Sequence, residues 1–279
     1  MQDTTIFPLH RVTIVGVLNV TPDSFSDGGR FPDRASAAAA GRALVADGAH
    51  VVDVGGESTR PGAAPVPVDE EIARTRPVIE ALAKDLPVPL SIDTRKAAVA
   101  EAALEAGARI VNDVSGLHHD PALAQVAARA GAHLVLGHLR GEPATMQEEI
   151  AFGDVLAEVG DELADAVERA REAGVPRERL VVDPGIGFGK GFEHNLVLLA
   201  NLGALRRRLG LPVLVGPSRK SFLGTLTGDA APERDTATHA ACAVAIFAGA
   251  DAVRVHDVAG ARRTAAVAAA LRGARSDPA

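Results

Sequence analysis

Eight short apolar runs of the chain each end at a polar or ionisable side chain. In chain order the runs are followed by Asn19, Asp53, Asp93-Thr94-Arg95, Asn112-Asp113, His138, Asp183, the segment 216–220 and Arg254-Val255-His256. Three carboxylates and one amide suit the N–H groups of a flat, nitrogen-rich ring: Asp53, Asp93, Asn112 and Asp183. Positively charged side chains suit phosphate oxygens, and four are available: Arg60, Lys220, Arg254 and His256. The sequence therefore predicts a site for a phosphorylated heterocycle.

The candidate metal ligand is Asn19. Its carbonyl oxygen suits Mg²⁺, which commonly takes few protein ligands and several oxygens of a substrate phosphate. A zinc hydrolase is disfavoured, because the first apolar run carries no His-x-His and the chain has no His-Glu-x-x-His. Mg²⁺ is therefore the predicted cofactor.

Each of these residues, taken alone, also has an ordinary structural interpretation. Asp93 could cap the helix that follows it, and Asp53 could hold a neighbouring loop. Arg60 and Arg254 could form surface ion pairs of little energetic value. Cys242 is interpreted as a small buried hydrophobe, and single histidines on apolar elements are usually structural: His50, His133, His138 and His239.

A repeated pattern predicts the elements that position these side chains. An Ala-rich helical stretch ends at a glycine, and a short apolar run follows, at Gly48, Gly107, Gly131 and Gly249. Glycine tolerates the left-handed conformation at a helix C-terminus, and short continuous apolar runs are typical of buried parallel strands. Eight strands are predicted, near residues 12–18, 50–54, 88–92, 108–112, 132–136, 179–183, 212–216 and 251–255.

Eight strand–helix units in about 250 residues favour a single (β/α)8 TIM barrel, with the active site at the C-terminal ends of the strands. The alternative is a doubly wound open sheet. Helices are predicted over 35–46, 70–84, 95–106 and 155–173. One domain is expected over residues 1–272, followed by a disordered tail over 273–279.

Composition excludes several classes of partner. With 29 Lys and Arg against 36 Asp and Glu, the net charge is −7, which disfavours a general nucleic-acid binder. The chain has no Trp, no Tyr and no apolar stretch of about 18 residues, so neither base stacking nor a membrane helix is expected. A hydrophobic fraction of 47% supplies a large core, and a single cysteine suits a reducing cytoplasm.

The glycine-rich segment 183–191 has the appearance of a phosphate loop without its defining residues. A P-loop requires Ser or Thr after the Gly-Lys pair, and Gly191 follows Lys190. We interpret the segment as a mobile loop whose Phe188 can cover a ring.

Seven motifs of the chain resemble those of the dihydropteroate synthases, a family of folate-pathway enzymes that sulfonamides inhibit. The resemblance runs from Val17 to about Asp257. The motifs, in order, are LNVTPDSFSDGG (18–29), DVGGESTRPGA (53–63), SIDTR (91–95), VNDVSG (111–116), DPGIGFGK (183–190), GPSRKSFLG (216–224) and RVHDV (254–258).

The resemblance implies a transferase. Its reaction joins 4-aminobenzoate to (7,8-dihydropterin-6-yl)methyl diphosphate and gives 7,8-dihydropteroate and diphosphate. The implied holders of the pterin edge are Asp93, Asn112, Asp183 and Lys220, with Asp53 supporting that pocket or contacting the diphosphate. The implied holders of the diphosphate are Asn19, Arg60, Arg254 and His256, with Mg²⁺ at Asn19. Within these sets, the resemblance gives the catalytic roles to Asp183, Lys220, Arg254 and His256.

The resemblance also implies an aminobenzoate subsite, where sulfonamides would compete, framed by Thr59, Pro61, Phe188, Ser218 and Lys220. It places Asp23, Phe25 and Asp27 on a first loop that closes during turnover. It implies a homodimer that associates through outer helices near the C-terminal half.

At one position the chain departs from the family pattern. Where the family has Met-His-Met, this chain has Gly137-His138-Leu139. Leu for Met nearly conserves volume, whereas Gly137 is expected to leave space beside the pterin.

Two other functions are compatible with a pterin site. A pterin-dependent methyltransferase has a similar carboxylate-lined pocket, but it has no need of the segments 216–220 and 254–257, which are intact here. A non-catalytic pterin-binding paralogue predicts erosion of the phosphate-binding residues, all four of which are present.

Overall fold

Eight parallel strands form a nearly closed barrel. The computed structural model describes residues 6–9, 11–21, 34–60, 62–148 and 150–275. The strands are β1 (Thr13–Asn19), β2 (Val51–Gly55), β3 (Leu90–Asp93), β4 (Ile110–Asp113), β5 (His133–Gly137), β6 (Leu180–Asp183), β7 (Leu214–Val215) and β8 (Ala252–Val255). Their hydrogen-bonded order is β6-β5-β4-β3-β2-β1-β8-β7, and a parallel bridge from Val182 to Val213 joins the two end strands. The predicted barrel is confirmed, each strand lies within two residues of its predicted bounds, and the open sheet is excluded.

Ten helices of the described residues pack around the strands. They are α1 (Arg34–Ala46), α2 (Val68–Asp85), α3 (Ala97–Glu105), α4 (Ala122–Ala130), α5 (Val155–Glu172), α6 (Phe192–Ala200), α7 (Leu202–Leu209), α8 (Ser221–Thr227), α9 (Asp235–Ala248) and α10 (Val258–Gly273). The four glycines predicted to end helices all have positive φ, between 61° and 125°, so they take the conformation that glycine adopts without strain. No described helix combines the length and the apolar character that a membrane span requires.

Side chains alternate between an inner and an outer core along the strands. The larger cluster lies between the strands and the helices. The smaller cluster fills the barrel interior, where Phe7 from the N-terminal segment meets one residue from each of seven strands: Val15, Val51, Ile110, Val135, Val181, Leu214 and Ala252. Because successive side chains of a strand point to opposite faces, residues two positions further along also face the interior, nearer the C-terminal rim.

Residues 273–275 extend the outer layer of helices. Of the predicted tail, Gly273 closes α10 and the Arg275 guanidinium lies 4.8 Å from the centroid of the Phe247 ring. Residues 276–279 lie outside the described residues.

Gly249→Ala tests the glycine that links α9 to β8. Gly249 has a φ of 125°, and an added Cβ would lie 2.9 Å from Gly203 Cα, a backbone atom. We expect the free energy of unfolding to fall by about 1–3 kcal/mol, since overpacking and backbone strain act together. Urea denaturation measures the change.

The control for this substitution is Gly273→Ala. An added Cβ there has no atom within 4 Å, and the φ of Gly273 is not in the positive range. Equal stability of the Gly249 variant and the wild type would contradict the prediction.

Candidate active site

Strand register brings the predicted polar residues to one end of the barrel interior. Asp93 is paired in register with Asn112, and Gly55 is paired with both Asp93 and Asn19, so these residues lie at a common level. Four of the predicted site residues lie two positions after a strand residue of the inner core, so their side chains also face the barrel interior: Asp53, Asn112, Asp183 and Arg254. A shift of one residue in any strand would turn its polar side chain toward the helices.

The Arg254 guanidinium bridges two buried carboxylates. Its Nε donates to Asp53 Oδ2 at 2.6 Å, and its Nη2 donates to Asp93 Oδ2 at 2.7 Å. The Asn112 side-chain amide donates to the same Asp53 oxygen at 3.0 Å. The sequence suggested separate carboxylate and cation groups, whereas in the structure Arg254 is paired with the carboxylates. Asp93 does not cap a helix, since Lys96 occupies the N-cap position of α3.

One oxygen of each paired carboxylate has no hydrogen-bond partner. Asp53 Oδ1 and Asp93 Oδ1 are buried, and neither accepts a hydrogen bond from the described chain. Burial and the charge of Asp53 together raise the pKa of Asp93 to about 7, despite the opposing charge of Arg254. Buried acceptors without a partner are rare and costly. These two oxygens are suited to the N–H groups of a bound ring.

Lys220 lies beside these carboxylates, near both Asp183 and Phe188. Asp183 Oδ1 accepts the Gly185 N–H at 2.7 Å, and burial raises the pKa of the Asp183 carboxyl. Burial and then the charge of Arg254 lower the pKa of Lys220 to about 8, against the opposing effect of Asp183. Lys220 Nζ lies 3.7 Å from the centroid of the Phe188 ring, a cation–π contact.

The surroundings of His256 favour its neutral form. Burial, followed by the charges of Arg254, Arg219 and Arg60, lowers the pKa of His256 to about 4. Ser218 Oγ lies 2.8 Å from His256 Nδ1, and it also accepts the His256 backbone N–H at 3.3 Å. The expectation that His256 supplies positive charge stays a prediction for the ligand-bound protein, since burial among cations favours the neutral imidazole in the unliganded one. A Ser218 hydroxyl that donates to Nδ1 leaves the proton of the ring on Nε2.

Thr59 and Arg60 follow β2 on a segment fixed by a buried glutamate. Thr59 is half-buried and Arg60 is exposed. Glu57 accepts hydrogen bonds from Lys96 Nζ at 2.6 Å and from Arg95 Nη2 at 3.1 Å. These bonds, with others, lower the pKa of the Glu57 carboxyl against the effect of burial.

The same ionic network reaches the segment after β5. Arg95 Nη1 donates to Glu142 Oε2 at 2.7 Å, and the Gly62 N–H donates to the Pro143 carbonyl at 3.2 Å. Sequence reasoning missed Glu57 as a functional residue, although Glu57 and Arg95 each stand inside one of the seven motifs. Four of the predicted site residues, Asp23, Phe25, Asp27 and Pro61, lie outside the described residues.

Asn19 fits a metal site that depends on the substrate. The described residues contain no group of three or more His, Cys, Asp or Glu side chains that could hold a metal ion. Asn19 lies at the rim of β1, and its Oδ1 is 3.8 Å from the position a Cβ on Gly55 would occupy. One amide oxygen suits an ion whose remaining ligands are phosphate oxygens and water.

Gly137 leaves no space at the position of its missing side chain. An added Cβ would lie 2.6 Å from Val114 Cα and 2.8 Å from the Val114 carbonyl oxygen. The expected gap beside the pterin is therefore corrected, since the backbone after β4 occupies it. His138 is buried, as its structural interpretation predicts, and it is bonded to Glu162 and Lys190.

Comparisons with known proteins agree on one family. Residues 15–256 match the family described as pterin binding enzyme. The dihydropteroate synthase of Synechocystis sp. is 48% identical over 262 residues, which cover 94% of this chain and 90% of that protein. Among solved structures, the Yersinia pestis dihydropteroate synthase in complex with a sulfonamide drug has a TM-score of 0.90 at 40% identity, covering 96% of each chain. The Xanthomonas albilineans dihydropteroate synthase in complex with 7,8-dihydropteroate has a TM-score of 0.84 at 39% identity, also over 96% of each chain.

The protonation of His256 is measurable. We expect the imidazole of the unliganded protein to titrate near pH 4, since it is buried among cations. Diphosphate bound beside the ring should raise that midpoint, because a neighbouring anion favours the charged form. An NMR titration of the imidazole resonances, assigned with His256→Gln, gives both values. A midpoint near 6.5 without ligand would contradict the prediction.

Proposed function

The chain belongs to the pterin-binding enzyme family, and from this premise we propose that it catalyses the dihydropteroate synthase reaction. The amine of 4-aminobenzoate displaces diphosphate from the methylene carbon of (7,8-dihydropterin-6-yl)methyl diphosphate. The observation that carries the proposal is the pair of buried, unpartnered oxygens on Asp53 and Asp93, held by Arg254 at the rim of the barrel.

The pterin ring is bound by groups that complement its N–H donors. The free oxygens of Asp53 and Asp93 accept from the ring edge, and Asn112 and Asp183 complete the polar wall. Lys220 lies close enough to Asp183 for their charges to shift each other's pKa, so it can donate to a ring acceptor while its charge opposes that of the carboxylates. These contacts fix the plane of the ring and the position of the methylene carbon.

Bond exchange at the methylene carbon needs little proton transfer. The C–O bond to diphosphate breaks, the leaving group keeps the electron pair, and the amine nitrogen forms the new C–N bond. An aryl amine is nucleophilic when neutral, so no strong base is required, and its surplus proton passes to diphosphate or water.

Negative charge grows on the departing diphosphate, where donors contribute most. His256 Nε2–H, Arg254 and Arg60 are the proposed donors from this chain. Mg²⁺, held by Asn19 and by diphosphate oxygens, would supply Lewis-acid stabilisation of the same charge. As phosphate oxygens approach His256, its pKa rises and the ring can take up a proton.

The aminobenzoate subsite is proposed beside Phe188. The Phe188 ring packed against the Lys220 ammonium forms one wall, and the family resemblance adds Thr59, Pro61 and Ser218. A sulfonamide has the shape and the aryl amine of aminobenzoate and would compete there. In support, the Yersinia pestis relative has been solved in complex with a sulfonamide drug.

A homodimer is proposed through the outer face of the C-terminal helices. Eight large apolar side chains are exposed among the described residues, and six of them lie on α6, α8, α9 and α10: Val197, Leu226, Val244, Phe247, Val267 and Leu271. Such a concentration favours a protein–protein contact, and the family resemblance supports a second copy of this chain as its occupant.

The proposed cytoplasmic location rests on the single cysteine, Cys242, which is buried and free.

Release of diphosphate tests the reaction. We expect the protein with Mg²⁺, the pterin diphosphate and 4-aminobenzoate to release diphosphate, chelation by EDTA to abolish the release, and added Mg²⁺ to restore it. Asp183→Asn should lower kcat/KM by about a hundredfold or more, because it removes a preorganised charged contact. A coupled phosphate assay measures both effects.

Asp251→Asn is the matched control for this experiment. Asp251 is also a buried carboxylate, but it lies at the opposite end of the barrel, where it accepts from Arg206 Nε and the Val213 N–H. This variant should lose stability and keep its KM values. Failure of the wild type to release diphosphate would refute the proposal, and pterin binding without turnover would favour the non-catalytic paralogue.

The assembly is tested by the mass in solution. Light scattering should give twice the chain mass of 28.6 kDa, and Val267→Glu should shift the mass to that of one chain, since it places a charge in an apolar contact. Val68→Glu, at an exposed apolar position on α2, is the control. A monomeric wild type at micromolar concentration would overturn the dimer.

A further inference from the structure

The glycine-rich segment after β6 lies directly against the backbone after β5. An added Cβ on Gly185 would lie 1.9 Å from the His138 carbonyl oxygen, and one on Gly189 would lie 2.4 Å from that of Arg140. Both glycines also have positive φ. The glycines therefore permit close approach of two chain segments, which explains a glycine pattern that matches no phosphate loop.

Lys190 joins the two segments from within. Its side chain is buried, at 2% exposure, and its Nζ has three acceptors. These are His138 Nδ1 at 2.8 Å, the His138 carbonyl at 3.2 Å and the Phe188 carbonyl at 2.9 Å. An ammonium group has three N–H donors, so the protonated lysine is fully satisfied at this position.

Burial lowers the pKa of Lys190 to about 7, and the charges of Asp183 and then Glu162 oppose this shift by favouring the ammonium. In its charged form, Lys190 is balanced in part through His138. An ammonium can only donate, so His138 Nδ1 accepts and the ring proton lies on Nε2. That Nε2 donates to Glu162 Oε2 at 2.9 Å, and Glu162 also pairs with Arg140. The chain Lys190–His138–Glu162 thus connects the buried ammonium to a carboxylate at the edge of α5.

Lys190 donates a hydrogen bond to the backbone of Phe188. The Phe188 carbonyl accepts from Lys190, and the Phe188 N–H donates to the Gly185 carbonyl at 3.0 Å. On the same turn, the Gly187 N–H donates to Asn195 Oδ1 at 2.6 Å. The backbone of Phe188 is therefore held at both its polar groups, and its ring meets Lys220.

We propose that Lys190 is a positioning residue for the aryl-amine subsite. By bonding the Phe188 carbonyl and the His138 carbonyl, it holds the backbone that places the Phe188 ring beside Lys220, where the proposed subsite lies. Lys190 contacts neither substrate. The inference rests on the proposed function, because it concerns the second substrate of that reaction.

A positioning role predicts that substitution of Lys190 raises the KM for one substrate more than the KM for the other. Lys190→Met keeps the length of the side chain and removes all three donors. We expect the KM for 4-aminobenzoate to rise at least tenfold, about the effect of losing one hydrogen bond from a charged group. The KM for the pterin diphosphate should rise less than about threefold, because Asp53, Asp93 and Asn112 are untouched and Lys190 acts on Asp183 through its charge alone.

Glu162→Gln provides a second, milder test. It removes the balancing charge while leaving an acceptor for His138, and it should raise the same KM by about threefold, a partial loss of the charge-assisted bond. Arg206→Met is the matched control: it breaks a partly buried ion pair to Asp251 at the other end of the barrel, so it should lower the thermal midpoint and leave both KM values unchanged.

The possible outcomes separate the two proposals. An inactive wild type refutes the proposed function and this inference with it. An active wild type with equal rises in both KM values in Lys190→Met overturns the positioning role and leaves the function standing. Where Lys190→Met does not fold, Glu162→Gln decides: a selective rise in the aminobenzoate KM supports the role, and an unchanged KM overturns it.

Discussion

The pairing of Arg254 with Asp53 and Asp93 is the interaction on which the site depends. Buried charges are tolerated only when they are paired and hydrogen-bonded, and here one guanidinium serves two carboxylates from β2 and β3. Removing Arg254 would leave both carboxylates unpaired, at a cost on the order of 3–5 kcal/mol. The bridge also requires β2, β3 and β8 to keep their register, because a shift of one residue would carry a charge to the outer face of the barrel.

Burial moves the charged groups of the rim toward neutrality. It raises the pKa of Asp93 and Asp183 and lowers the pKa of Lys220 and His256. For each of these groups, the protein alone does not offset the free-energy cost of burying its charged form. A ligand with N–H donors at one end and phosphate oxygens at the other supplies the missing partners to both kinds of group. The electrostatics of the unliganded rim thus favour an amphoteric ligand over a simple anion or cation.

The sequence predicts the elements well because their signals are local. Buried strands are continuous apolar runs, and helix ends are marked by glycines with positive φ, so neither depends on distant contacts. The partners of the site residues could not be predicted in the same way. Arg254 and Asp53 are 201 positions apart, and nothing near either residue distinguishes a carboxylate bridge from a phosphate contact. The charge state of His256 depends on burial beside Arg254, Arg219 and Arg60. The error at Gly137 has the same origin, because a missing side chain makes room only where the neighbouring backbone does not fill it.

The two walls of the proposed aminobenzoate subsite are built by different physical means. The segment after β2 is held by Glu57, whose carboxylate forms ion pairs with Arg95 and Lys96. The segment after β6 is held by Lys190, which donates hydrogen bonds to two backbone carbonyls. A carboxylate anchor acts through side chains that have their own rotamers, and Glu142, which extends that network, is largely exposed. An ammonium bonded to two carbonyls and a buried imidazole fixes the backbone itself. The segment bearing Phe188 is thus held through its own backbone, in contrast to the mobile loop that its glycines suggested, whereas the segment bearing Thr59 and Arg60 is held through side chains.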